Sequence, residues 1–231
     1  MPTMYEIYEQ HADRYDALVG AEDCERNLNS ALNDIVSWSD ARVLEAGVGT
    51  GRVTAGYIDR VQSAVLCDRS EHMLAFARRR LAGYGSVVEF ICADNFALPQ
   101  LEQPVDVFVE GWSFGHAIVD NAARIEATSA RLLEQAARNL RPGGVVILLE
   151  TLGTNTDEPG APHEALAAWY RALHNEHRFD HRQIRTDYQF ASVQEAVDLM
   201  GFFFGPQMAA AVAKRGAPRV PEWTGVWWRR V

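Results

Sequence analysis

The sequence predicts an α/β domain, a mainly parallel sheet with helices on both faces. Short apolar runs alternate with longer stretches whose apolar positions recur at helical spacing, the order expected of strands joined by crossover helices. The first of those runs, Val43-Leu44-Glu45-Ala46, passes straight into three alternating glycines, Gly47-Val48-Gly49-Thr50-Gly51. A chain of 231 residues with 48% hydrophobic content can bury one sizeable core, so a single domain over 1–231 is expected.

The elements follow in order. Residues 1–38 are read as an N-terminal helical segment carrying Tyr5, Tyr8 and Tyr15 as an aromatic stripe. Strands are expected at Arg42 to Glu45, Ser63 to Cys67, Val87 to Cys92, Val105 to Val109 and Val145 to Glu150. Helices are expected at Ser70 to Leu81 and Asn121 to Leu140, the second stopped by Arg141-Pro142-Gly143-Gly144. Further on come a helix at His163 to Glu176, a strand at Gln183 to Phe190 and a helix containing Val193 to Met200. A final strand, Trp223 to Arg229, holds three of the six tryptophans, which suits a strand packed into the sheet. An insertion at about 191–219 is expected to lie above the sheet and cover a pocket.

Composition removes several functions. With 22 basic and 31 acidic side chains the net charge is -9, which repels a phosphate backbone, so no nucleic-acid partner is expected. The one basic run, Arg78-Arg79-Arg80, ends a predicted helix, where cations offset the negative helix terminus. Cys24, Cys67 and Cys92 are an odd set without metal-ligand spacing, so a reducing, cytoplasmic setting and no metal are expected. Cys67 and Cys92 are read as small buried apolar residues. No stretch approaches the ~20 apolar residues of a membrane span, so no membrane association is expected.

In an open α/β sheet ligands bind at the carboxyl ends of the strands, and here those ends are polar. The glycines leave backbone N–H groups bare beside a helix N-terminus, a place for an anionic or polar cofactor group. Asp68 ends the second strand, where a carboxylate accepts hydrogen bonds from ribose hydroxyls. Asp94-Asn95-Phe96 follows the third, offering an acceptor for an exocyclic amine beside an aromatic face, or else a simple turn. Glu110-Gly111-Trp112 follows the fourth. A dinucleotide and S-adenosylmethionine both fit the glycine loop taken alone.

Through Val43 to Gly51, Cys67-Asp68-Arg69-Ser70 with Met73-Leu74, Ala93-Asp94-Asn95-Phe96, and Leu140-Arg141-Pro142-Gly143-Gly144, the chain resembles the class I S-adenosylmethionine-dependent methyltransferases of small-molecule type. The resemblance runs in register over about Tyr5 to Thr151, and the tail matches in outline. It implies a Rossmann-like seven-stranded sheet, mostly parallel with an antiparallel last strand, and S-adenosylmethionine across the ends of the first four strands. By the same resemblance Gly47, Gly49 and Gly51 shape the loop by the methionine part, and Glu45 fixes that loop or the ammonium group. Asp68 holds the ribose, Arg69 and Met73 flank the adenosine, Asp94, Asn95 and Phe96 receive the adenine, and Tyr15 lies over the cofactor. Glu110 is included in the cofactor set.

Methyl transfer from a sulfonium is an in-line displacement, and the protein's task is to align donor and nucleophile and exclude water. For a hydroxyl or protonated amine a base is also needed, and His116, in Trp112-Ser113-Phe114-Gly115-His116, is the candidate. The acceptor pocket is expected to be walled by Trp112, the N-terminal segment and the C-terminal insertion. After the fourth strand the chain lacks the Asn-Pro-Pro-Tyr-like sequence of the family's amide and exocyclic-amine methylating members and the Pro-Cys nucleophile of cytosine carbon methylation, which with the charge disfavours nucleic acid and leaves a small-molecule acceptor as the expectation. His174, His177 and His181 share a face only if their helix continues through them, and a solvated helix end is favoured. A nicotinamide-dependent oxidoreductase and a cofactor-binding protein without turnover remain as alternatives.

Overall fold

The computed structural model describes residues 2–231. Three helices lead in: α1 (Met4–Gln10), α2 (Ala12–Gly20) and α3 (Asn27–Ile35). Thr3 starts α1 with a capping box, its side chain accepting from the Glu6 amide while the Glu6 carboxylate accepts from the Thr3 amide at 2.7 Å. At the start of α3 the Asp23 carboxylate accepts from the amides of Asn27 and Leu28 at 2.8 and 3.1 Å.

The sheet region then runs β1 (Arg42–Ala46), β2 (Ser63–Asp68), α4 (Glu71–Arg80), β3 (Val88–Cys92), β4 (Val105–Gly111), α5 (Phe114–Asp120), α6 (Ile125–Ala137) and β5 (Leu140–Thr154). After it come α7 (Glu164–Asn175), β6 (Asp180–Arg185), β7 (Tyr188–Gln189), α8 (Val193–Phe204), α9 (Pro206–Arg215), β8 (Arg219–Val220) and β9 (Glu222–Arg230). Seven strands form one sheet in the order β3-β2-β1-β4-β5-β9-β6, while β7 and β8 pair separately. Strand β9 is antiparallel to both β5 and β6, and the other pairings in the large sheet are parallel. The expected architecture is therefore present.

Successive strand residues point to opposite faces, so the central strands feed two cores. Val43, Val107, Val109, Ile147 and Leu149 pack with Leu28, Leu32 and Tyr57 on one side. Leu44, Phe108, Val146 and Leu148 pack with Phe114, Leu132 and Trp169 on the other. A third, smaller cluster joins Leu18 of α2 to Ala196 and Met200 of α8 and Val212 of α9, which ties the C-terminal helices to the N-terminal ones.

Several elements differ from expectation. Arg141-Pro142-Gly143-Gly144 is an irregularity within β5, because Leu140 already pairs with Val105 before Val145 pairs with Val107. Proline lacks a ladder donor and Gly143 has φ +78°, so the strand bulges there around Asp106, which accepts from the Arg42 amide at 2.7 Å. The strand expected over Gln183 to Phe190 is split into β6 and β7. The break is at Asp187, whose carboxylate is held by Arg185 at 2.7 Å, by Arg219 at 2.8 Å and by the Glu222 amide at 3.1 Å. Cys67 is buried as expected, but Cys92 is exposed, because it closes the edge strand β3, and its thiol donates to the Arg69 carbonyl. Helix α7 ends at Asn175, so His177 and His181 do not continue a helical face from His174. Among the described residues no group of three or more His, Cys, Asp or Glu is placed to hold a metal ion. Nor is any described helix long and apolar enough to cross a membrane.

Candidate cofactor and acceptor site

The loop after β1 turns with Gly47, Gly49 and Gly51 all at positive φ, +67°, +54° and +83°. A Cβ on Gly47 would run into the Ser113 side chain, and one on Gly51 would press on Ala77 of α4 and on Leu81 just after it at 3.4–3.5 Å. Gly49 faces open space, the nearest atom to its absent Cβ being the Tyr15 ring at 3.7 Å. Its amide donates to Asp68 at 2.8 Å, and the other Asp68 oxygen accepts from the Ser70 amide at 2.9 Å. Asp68 thus pins the glycine loop to the end of β2 and retains a free lone pair on each oxygen. Burial pushes its carboxyl above the usual aspartate range.

Gly47, Gly49 and Asp68 line a cavity of about 140 Å³ together with Tyr5, Tyr8, Tyr15, Arg69, Met73, Asp94, Asn95, Phe96, Trp112, Ser113 and His116. Arg69 lies over the Tyr5 ring at 4.8 Å, and Met73 is buried on α4. Asp94 accepts from the Phe96 amide at 2.8 Å, so the turn expected of Asp94-Asn95 exists and aims Phe96 at the cavity rim. Asn95 donates to the Ser113 hydroxyl at 3.0 Å, joining the third and fourth strand ends.

A larger cavity of about 480 Å³ adjoins the first and shares Tyr5, Tyr8, Tyr15, Trp112, His116 and Asp120 with it. Tyr8 meets Tyr15 edge to face at 5.3 Å, and Phe203 of α8 packs 5.6 Å from Tyr15. Trp112 holds φ +52°, an uncommon conformation for a bulky residue, and its amide donates to the Leu149 carbonyl at 2.8 Å. Arg52 stacks over the Trp112 ring at 4.5 Å and pairs with Glu22 at 3.2 Å. His116 Nε2 lies 3.1 Å from the Tyr8 hydroxyl, and burial lowers the His116 pKa below its ordinary value.

Three residues expected at the cofactor are not among the lining of these cavities. Glu45 is buried on β1 and accepts from Thr54 at 2.8 Å and from Tyr57, which fixes the segment after the glycine loop. Gly51 packs on α4. Glu110 is buried behind Ser113, accepting from the Ser113 hydroxyl and the Phe114 amide at 2.9 Å each, and so holds the turn into α5. Burial pushes both carboxyls up to about 7.

The sequence reading missed Ser113, Glu22, Arg52, Glu150 and Glu222. Glu150 carries the same signal as Asp68, a carboxylate ending an apolar strand, and was within reach. Glu22 and Glu222 come from segments with no motif and reach the cavity through tertiary packing.

Residues 43–144 match the model of a family described as a methyltransferase domain, and they span β1 through the start of β5, the part that builds the loop and the four strand ends. Over this segment the chain is similar to the class I S-adenosylmethionine-dependent methyltransferases. One relative, an uncharacterized methyltransferase of Oceanobacillus iheyensis, is 25% identical over 152 residues, 64% of this chain and 66% of the relative. The match thus spans about two thirds of that relative's length. The YcgJ protein of Bacillus subtilis has the same fold at TM-score 0.60 and 12% identity, covering 88% of this chain and 97% of that one. N-methyltransferase NodS of Bradyrhizobium japonicum, solved with S-adenosylhomocysteine, aligns at TM-score 0.52 and 13% identity over 89% of this chain and 86% of that one.

The chain's own residues fit that family's cofactor. Bare backbone at Gly49, open acceptors on Asp68 and apolar faces at Met73 and Phe96 converge on one cavity.

Proposed function

We propose that this protein transfers a methyl group from S-adenosylmethionine directly to a small-molecule acceptor. What carries the reading is the junction of the two cavities. The one lined by Asp68 and Gly49 meets a larger aromatic one across Tyr8, Tyr15, Trp112 and His116. When bound, the cofactor supplies an electrophilic methyl on sulfur that a nucleophile takes in line. The chain's residues then bind, align and shield.

Asp68 would hold the ribose hydroxyls, Arg69 and Met73 would flank the adenosine, and Asp94, Asn95 and Phe96 would take the adenine. Gly47 and Gly49 would let the methionine part approach the backbone, with Tyr15 above it. Glu45, Gly51 and Glu110 would act one step back, by holding the two loops in place. His116 stands at the shared wall, and its burial favours the neutral imidazole that can accept a proton from the acceptor. The enclosing walls from α1, α2 and α8 leave room for a molecule of modest size, which supports a small-molecule acceptor. The three free cysteines support a reducing, cytoplasmic setting.

The test is incubation of the purified protein with methyl-labelled S-adenosylmethionine and a cell extract, followed by separation of small molecules, nucleic acid and protein. Label in the small-molecule fraction supports the proposal. Label confined to the polymers contradicts it.

A further inference from the structure

We infer that the acceptor is an uncharged molecule with an extended apolar body, its reacting group at the Tyr8–His116 junction and its far end on a mouth formed by Met4, Val119 and Phe204. The inference rests on the methyl-transfer reading and narrows its substrate class. Four large apolar side chains among the described residues are more than a third exposed, Met4, Val119, Phe204 and Val231. Scattered singly, such residues call for no explanation. Here the first three, from α1, α5 and α8, all line the larger cavity, so they stand where it opens.

The packing of the helices does not account for this mouth. Helix α8 ends in Phe202-Phe203-Phe204. Phe202 meets His11 at 5.5 Å and takes the Arg14 guanidinium over its ring at 3.8 Å, while Phe203 packs 6.3 Å from Tyr8 and 5.6 Å from Tyr15. Those two rings hold α8 to the N-terminal helices. Phe204 touches Phe203 edge on at 4.8 Å and stays 36% exposed at the opening. Met4 and Val119 are the neighbours of Tyr5 and Asp120, whose hydrogen bond brings α1 and α5 together. Leu18, Val19, Leu166 and Met208 add apolar wall. The volume of about 480 Å³ falls in the range of roughly 300–1,000 Å³ that encloses most of a drug-sized ligand.

The polar groups of the wall already have partners within the protein. Arg52 pairs with Glu22 and covers the face of Trp112, and Asp120 accepts from the Tyr5 hydroxyl. Glu150 accepts from the Gly115 amide at 2.7 Å, and Glu222 accepts from the Thr151 hydroxyl at 3.1 Å. Burial pushes these last two carboxyls well above the ordinary range and His116 below it, which favours the neutral form of each. His163, just before α7, is exposed to solvent. A charged acceptor would give up its hydration inside with no unpaired opposite charge to replace it. An apolar body instead gains roughly 3-fold in affinity for each methylene it buries.

The experiment titrates 4-propylphenol, 4-pentylphenol, 4-heptylphenol and tyramine into the protein saturated with S-adenosylhomocysteine. Affinity is expected to rise at least ~2-fold per added methylene from propyl to heptyl. Tyramine, the charged match of 4-propylphenol in size, is expected to bind at least ~10-fold more weakly than it. Met4→Ser combined with Phe204→Ser, both at exposed positions, should weaken 4-heptylphenol at least ~5-fold more than 4-propylphenol. That difference separates a mouth that holds the chain from simple partitioning into an apolar interior. A smaller gain with chain length, a smaller penalty for tyramine, or a double substitution that costs every phenol alike overturns the inference. Should the double variant fail to fold, Phe204→Ser alone is read in the same way. Failure of S-adenosylhomocysteine itself to bind tells against the methyl-transfer reading, whereas its retention without a chain-length gain tells against the apolar acceptor alone.

Discussion

Gly47 and Ser113 approach so closely that a Cβ built on the glycine lands on the serine side chain. The contact joins the loop after β1 to the turn after β4, the two segments that border the cofactor cavity. Gly47 also sits at φ +67°, which penalises any side chain. Gly47→Ala should therefore lower unfolding stability by about 1–3 kcal/mol, read by chemical denaturation. Gly83→Ala, at a position with open space around the built Cβ, is the control and should change little.

The buried acids set the stability–pH profile. Glu45 and Glu110 are pushed up to about 7 by burial, against the pull of their hydrogen bonds. A raised folded pKa means that stability is full below the ordinary glutamate value near 4.5 and is lost as pH rises through about 7. Unfolding free energy should fall between those pH values by up to on the order of 3 kcal/mol per carboxyl. Glu110→Gln should flatten the slope. A profile that rises over that interval in the unsubstituted protein contradicts this account.

His116 works in the opposite sense. Burial lowers its pKa, so the neutral ring is favoured in the fold, and stability on its account is lost as pH falls below about 6.5. Once an acceptor is known, kcat/KM should rise with pH through a midpoint below that value. His116→Asn should remove the inflection and lower the rate by roughly 10²–10⁴.

The Arg52–Glu22 pair is largely buried, with side chains 18% and 6% exposed. Glu22→Ala leaves a guanidinium without its carboxylate partner in the cavity wall and should cost about 3–5 kcal/mol in thermal or chemical unfolding. Removing both charges with Glu22→Leu and Arg52→Met should recover much of the loss. A double variant no more stable than the single one would place the effect in packing.

The sheet was legible because its central strands are buried on both faces and read as apolar runs, and the strand ends were legible because Asp68, Asp94 and Glu110 follow apolar runs directly. Other features depended on distant partners. The break at Asp187 is made by Arg219 and the Glu222 amide, and no local pattern announces a carboxylate drawn out of a strand by residues more than thirty positions away. Glu45 and Glu110 looked like ligand residues because they end strands. Their donors, Tyr57, Thr54, Ser113 and Phe114, turn them into supports for the loops. The acceptor cavity was least legible, since Glu22, Arg52, Glu150, Phe203 and Glu222 come from five separate segments.

The central claim is that the Asp68–Gly49 corner holds S-adenosylmethionine, and calorimetric titration tests it most directly. S-adenosylmethionine and S-adenosylhomocysteine should bind with micromolar affinity, NAD should not compete, and Asp68→Ala should weaken binding by at least ~100-fold through loss of the ribose acceptors and of the loop's tie to β2. No binding of either sulfur compound, tighter binding of NAD, or unchanged affinity in Asp68→Ala would contradict the assignment.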